Sequence, residues 1–239
     1  MQDRLTKAIQ FFWKARSHQH KKQGGSTGKK DAGNRSAVTG SKHLDGFIKL
    51  LTELLSGAGL PDSTIHTRAT TLPGYFRPTK NWDLLVVVDD RLLASIEFKA
   101  HIGPSFGNNF NNRVEEALGN SMDLLTAYRE GKFKPSQKPW LGWLMLLEDT
   151  PKATTPVKVD EPHFGVFPEF KMTSYAKRYE LFCERLMRER LYDGTCLILS
   201  DKKGGLKGKF TEPNQEFSFA TFATSLTAHA IAYAKMRKP

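Results

Sequence analysis

The sequence predicts a mixed β-sheet flanked by helices, an α/β fold in the order α-β-β-β-α-β with C-terminal α-β-α additions. Three observations lead there. An amphipathic helical pattern precedes a set of short β-branched and aliphatic runs, a long helical pattern follows them, and apolar strands then alternate with helices. At 239 residues, 39% apolar and 11% aromatic, the chain can bury a sizeable core, which excludes a disordered protein.

Residues 5–16 space Leu5, Ala8, Ile9, Phe12 and Trp13 as one helical face. From Ser17 to Gly40 the composition turns polar, glycine-rich and basic, with Asp31 its only acid. Residues 1–40 are therefore expected to be an N-terminal helix and a flexible basic arm, which either orders on phosphates or merely links. His18 and His20 lack the further ligands that a metal site needs. Residues 43–56 form the next helix, with Leu44, Phe47, Ile48, Leu51, Leu54 and Leu55 on one face and GAGLPD ending it.

Residues 64–71, TIHTRATT, read as a strand and LPGYFRPTKN as a loop. Residues 83–88 and 91–99 are strands joined at Asp89–Asp90, followed by a loop rich in glycine and asparagine. A helix is expected over 112–130, with Val114, Leu118, Leu125 and Tyr128 inward, then a buried strand, WLGWLMLL, at 140–147. After an irregular segment at 150–170 come a helix over 173–191, the strand TCLILS, a glycine- and lysine-rich loop, and a helix over 217–237.

Thirty-six Lys and Arg against 25 Asp and Glu leave a net charge of +11, which suits a partner made of phosphates. Cys183 and Cys196 read as reduced structural thiols. No uncharged apolar run reaches about 18 residues, and the N-terminus lacks the apolar core of a secretion signal. A cytoplasmic protein with no membrane association is expected.

The strand RLLASIEFK carries the chemistry. Glu97 and Lys99, two apart, point to one face while Ile96 and Phe98 point to the other. Alone, this is a surface salt bridge. Asp83, at the start of the preceding strand, changes the weighting, because it falls opposite Glu97 if the hairpin has an odd turn or one bulge. A plain two-residue turn would set it opposite Ile96 instead. Two converging carboxylates suit Mg²⁺, a hard ion that takes one or two carboxylates and keeps several waters. Asp83, Glu97 and the backbone carbonyl of Phe98 are the expected ligands. Lys99 is expected to stay protonated, since acting as a base near neutrality would cost about 4 kcal/mol against its ordinary pKa and nearby carboxylates oppose that shift.

With NWDLLVV and IEFK on adjacent strands, behind one helix and before another, the chain resembles the PD-(D/E)xK nuclease superfamily. Trp82 stands where the superfamily has a proline. The stretches GPSFGNNFNNRVEEALG, PWLGWLMLLED and SYAKRYELFCERLMRERLYD are similar to the XhoI-type family of type II restriction endonucleases. The resemblance implies a restriction-endonuclease-like core over residues 41–239, with Asp83, Glu97 and Lys99 catalytic. It further implies a homodimer that cuts CTCGAG in double-stranded DNA with Mg²⁺, leaving 5′ overhangs, beside a companion DNA methyltransferase. A repair or junction-resolving nuclease and a non-catalytic DNA-binding module are the alternatives.

Asparagine pairs well with adenine and arginine with guanine. Asn108, Asn109, Asn111, Asn112 and Arg113 are therefore candidate DNA contacts, or else serve a turn and helix cap. Glu115 and Glu116 are expected to compensate the dipole of the first helical turn. Lys80 and Arg77 are candidate phosphate holders. Asp45, flanking the apolar face of its helix, is a candidate further metal ligand.

Overall fold

The structure, a computed structural model, describes residues 1–23 and 41–236. Its main sheet sets five strands side by side in the order β1 (Ile65–His66), β4 (Leu84–Val88), β5 (Arg91–His101), β6 (Trp140–Glu148) and β7 (Gly194–Ser200). The β1/β4 and β4/β5 pairs are antiparallel; β5/β6 and β6/β7 are parallel. Strands covered on both faces need continuous apolar runs, and β6 and β7 are buried along nearly their whole lengths.

Helices α1 (Gln2–Gln23), α2 (Asp45–Gly57) and α5 (Phe219–Met236) cover one face, where Phe12, Phe47 and Phe222 pack on Val86, Ile96 and Phe98. Helices α3 (Phe106–Arg129) and α4 (Tyr175–Arg188) cover the other, where Phe110, Tyr179 and Phe182 pack on Leu85, Trp143 and Met145. The expected mixed sheet flanked by helices is thus observed. Free Cys183 and Cys196 are both buried, and burial pushes the Cys183 thiol up to about 12, leaving it unreactive. Among the described residues no helix is long and apolar enough to cross a membrane.

The β4–β5 hairpin turns through Asp89 and Asp90, both with positive φ as a two-residue hairpin of the primed type requires. That turn alone would place Asp83 opposite Ile96. Instead the register shifts between Val86 and Val87: Val87 faces Leu92 and Val86 faces Ala94, leaving Leu93 unpaired. Leu93 and Ala94 consequently lie on the same face, in the α1/α2 core, against the usual alternation. Leu84 then faces Ile96, where the ladder ends, and Asp83 donates its own backbone N–H to the Ile96 carbonyl at 3.2 Å while its carboxylate reaches the Phe98 N–H. Of the two expected devices, an odd turn or one bulge, the hairpin has the bulge.

Several local expectations are corrected. The strand expected over 64–71 pairs only at Ile65–His66, because Ala69 adopts φ 53° and turns the chain away. The expected loop over 72–81 contains a ribbon, with β2 (Thr71–Pro73) antiparallel to β3 (Thr79–Asn81). Helix α1 does not end at the composition change but continues to Gln23, and the remainder of the basic arm, 24–40, lies outside the described residues.

Helix α3 starts at Phe106 rather than at 112, so the supposed asparagine loop is its first turns. The cause is aromatic. Phe106 and Phe110, four apart, pack on Tyr175, and Phe110 also meets Tyr179 edge to face at 5.0 Å. Gly107 is needed for this approach, since a β-carbon there would lie 2.9 Å from the Tyr175 hydroxyl. Leu118, expected inward, is exposed; Ala117 and Leu124 take the buried face.

Trp13 of α1 is 2% exposed and donates its indole N–H to Ser200 Oγ at 3.0 Å, packing where Gly205 leaves room. Trp13→Ala is expected to cost about 3–5 kcal/mol, read from the urea midpoint. A shift below about 1 kcal/mol would show that α1 is peripheral to the cooperative unit.

Candidate active site

Strand β5 directs Ser95, Glu97 and His101 away from the α1/α2 core and toward the side covered by α3 and α4. The Glu97 side chain is 3% exposed. Its Oε1 lies 2.5 Å from Lys99 Nζ and its Oε2 lies 2.6 Å from Lys80 Nζ. Lys99 also approaches Glu116 Oε2 of α3 at 3.6 Å, which Arg113 contacts at 3.0 Å. The result is a row of alternating charge, Lys80–Glu97–Lys99–Glu116–Arg113, set into an otherwise apolar layer. Such charges persist in a protein interior only when paired.

Asp83 closes the cluster. Its Oδ2 accepts the backbone N–H of Phe98 at 2.7 Å, fixing the carboxylate over β5 beside Glu97. Burial first, and then the Glu97 charge, push its carboxyl up to about 6; the Phe98 N–H, Lys99 and Lys80 pull in the opposite direction. For Lys99, burial favours the neutral amine. The charge and hydrogen bond of Glu97, with Glu116 and Asp83, outweigh burial and raise its pKa, so the side chain is an ammonium.

The residues fit a hard divalent cation. The Asp83 carboxylate, on the Phe98 N–H, lies close enough to Glu97 for the two charges to repel, and Glu97 Oε2 is a buried oxygen with no hydrogen-bond partner, facing an ammonium that lies off the hydrogen-bonding directions. Among the described residues no group of three His, Cys, Asp or Glu could hold a metal. Two carboxylates with retained water match Mg²⁺ rather than a closed zinc site.

The other candidates are placed as follows. Lys80 is not free at the surface but belongs to the cluster, with its ammonium 4.7 Å from the Trp82 ring centre. Arg77 is bound to α3: Nε donates to Asp123 Oδ2 at 2.9 Å and Nη2 to Asn120 Oδ1 at 3.0 Å. Asn109 and Asn112 precede Glu116 by seven and four helical positions and share its stripe, whereas Asn111 is turned away and exposed. Asp45 is not brought to the cluster. It is exposed at the start of α2, which covers the opposite face of the sheet.

Glu116 lies in the third turn of α3, so compensation of a first-turn dipole does not describe it; it holds Lys99 and Arg113 instead. Asn120 and Asp123 escaped the sequence reading. The available signal was Asp123 itself, an acid immediately before Leu124–Leu125 at seven positions from Glu116. Behind the cluster, buried His101 meets the Tyr179 hydroxyl at 2.8 Å, and burial lowers its pKa to about 4, so it braces the site as a neutral ring.

The raised Asp83 pKa has a consequence for stability. The folded chain holds this proton more tightly than the unfolded chain, so the penalty of ionising Asp83 is absent near pH 4 and complete above about pH 6. In the presence of a chelator, Asp83→Asn is expected to stabilise the protein at pH 7 by roughly 2–3 kcal/mol, and much less at pH 4.5. Equal urea midpoints for variant and parent at both pH values would contradict the burial of this carboxyl.

The chain is similar to known proteins over most of its length. Residues 22–212 match the family described as restriction endonuclease XhoI. The type II restriction enzyme BstVI of Geobacillus stearothermophilus is 56% identical over 213 residues, covering 87% of this chain and 95% of that protein. The type II restriction enzyme XhoI of Xanthomonas vasicola is 44% identical over 194 residues, 77% of this chain and 75% of that one. AbrI of Azospirillum brasilense, also a type II restriction enzyme, is 50% identical over 159 residues, 66% and 71% of the two chains. No solved structure matches. With the bulged hairpin and its charge cluster established, these similarities make the chain a member of the XhoI restriction endonuclease family.

Proposed function

We propose that the protein is a type II restriction endonuclease that hydrolyses phosphodiester bonds in duplex DNA at a short palindrome, with Mg²⁺. The observation that carries this reading is the meeting of Asp83, Glu97 and Lys99 on one side of the β4–β5 hairpin. The resemblance to the family supplies the finer terms: CTCGAG as the site, 5′ overhangs, a homodimer matching the palindrome, and a companion methyltransferase protecting the host.

Asp83 and Glu97, with the Phe98 carbonyl, are the residues to hold Mg²⁺, which when bound polarises the scissile phosphate and acidifies the attacking water. Lys99 does the remaining electrostatic work. As an ammonium fixed by Glu97 and Glu116, it orients the nucleophile and offsets charge developing on the phosphate. Its cost of reorganisation is low, because the two carboxylates already hold it in place. Lys80, on the other oxygen of Glu97, adds a second positive charge beside the incoming phosphate.

Digestion of a plasmid of known sequence with Mg²⁺, followed by sequencing of the ends, tests the reading. Discrete fragments ending at one short palindrome are expected; a smear or cutting only at branches would overturn site-specific restriction. Asp83→Asn and Glu97→Ala are each expected to abolish cleavage while specific binding survives, and near-normal turnover in both would remove them from the mechanism. Lys99→Ala is expected to slow single-turnover cleavage by about 100-fold or more with little change in affinity; a large affinity loss at normal cleavage rate would contradict its role.

A further inference from the structure

The hairpin between β2 and β3 exposes two aromatic rings. Tyr75 is 55% and Phe76 67% exposed, and the rings meet edge to face at 5.1 Å. The loop beneath them is fixed by a buried acid. Asp123 Oδ1 accepts the backbone N–H groups of Tyr75 and Phe76, both at 2.7 Å, and of Arg77 at 3.4 Å, while Oδ2 takes the Arg77 side chain. Burial alone would raise the Asp123 pKa; the Phe76 and Tyr75 N–H groups and Arg77 overcome it and lower it. Gly74 is required at this point, since a β-carbon would fall 2.2 Å from Asp123 Oδ2.

This arrangement lies along the edge of the cluster. Asp123 and Asn120 share the stripe of Glu116 on α3, about 10 Å and about 6 Å further along the helix axis. From the tip, β3 returns directly to Lys80, whose ammonium is on Glu97. Phe76 is four residues from Lys80, at most about 14 Å of extended chain. A major groove is about 12 Å wide, so DNA with a phosphate at Glu97 and Lys99 has its neighbouring base steps within reach of the tip. Arg77, 45% exposed although paired with Asp123, stands beside the rings at the surface that a polyanion would approach.

We infer that Tyr75 and Phe76 form a rigid aromatic contact with duplex DNA beside the cleaved phosphate, held in position by Asp123. This rests on the reading of the cluster as a nuclease site. Two exposed rings contribute little to folding, whereas rings fixed before binding lose little conformational freedom when DNA arrives.

The test measures affinity for a duplex carrying the sequence that the parent protein cuts, in Ca²⁺, over a range of salt. The double variant Tyr75→Ala/Phe76→Ala is expected to bind at least about tenfold more weakly, with an unchanged slope of log K against log salt, because an apolar contact releases no counterions. Its thermal midpoint and oligomeric state should match the parent's, and Phe76→Tyr should bind normally. Parental affinity in the double variant overturns the inference while leaving the nuclease reading intact. So does a loss that comes with a shallower salt slope, a lower thermal midpoint or altered assembly. Failure of the parent protein itself to bind or cut duplex DNA removes both.

Discussion

One unpaired residue, Leu93, sets the register of the β4–β5 hairpin. Side chains on a strand alternate with a period of two, so a slip of one position exchanges the faces of every residue beyond it. With its two-residue turn alone, the β4–β5 hairpin would oppose Asp83 to apolar Ile96, and the two carboxylates would lie on different sides of the sheet. The bulge at Leu93 shifts the register so that Leu84 faces Ile96, and the carboxylate of Asp83, next in the chain, reaches the Phe98 N–H beside Glu97. The cost is local: Leu93 and Ala94 must both be accommodated in the α1/α2 core, which they are.

The same constraint explains why so much charge is tolerated on that side of the sheet. Glu97 is buried, and each of its oxygens faces a lysine from a different strand. Lys99 is in turn bracketed by Glu116 from α3. Glu97 is the member whose loss costs most, since it would leave Lys80 without a carboxylate and Lys99 with only the more distant Glu116. A cluster of this kind is poor at stabilising a fold and well suited to holding a cation or meeting a phosphate. Helix α3 serves both ends of it, with Glu116 against Lys99 and Asp123 beneath the β2–β3 loop.

Much of this was legible in the sequence, and the failures have physical causes. The order of elements follows from periodicity, and parity limits the hairpin to an odd turn or one bulge once Asp83 and Glu97 are taken as partners. The start of α3 was missed because glycine, proline and asparagine in GPSFGNNFNN speak for a turn, while the aromatic packing of Phe106 and Phe110 on α4 is a tertiary effect. Lys80 is expected only as a phosphate holder because residues 72–81 read as a loop; the structure instead pairs β3 with β2 and sets that ammonium on Glu97. Asp123 could not be identified as a buried acceptor without knowing what lies over α3.

The most direct test of the central claim is the anomalous scattering of Mn²⁺ in a crystal of the protein with its cleavable duplex. The account predicts an ion held by Asp83 and Glu97 beside the phosphate. An ion bound elsewhere, with those two side chains still paired only to lysines, would contradict it.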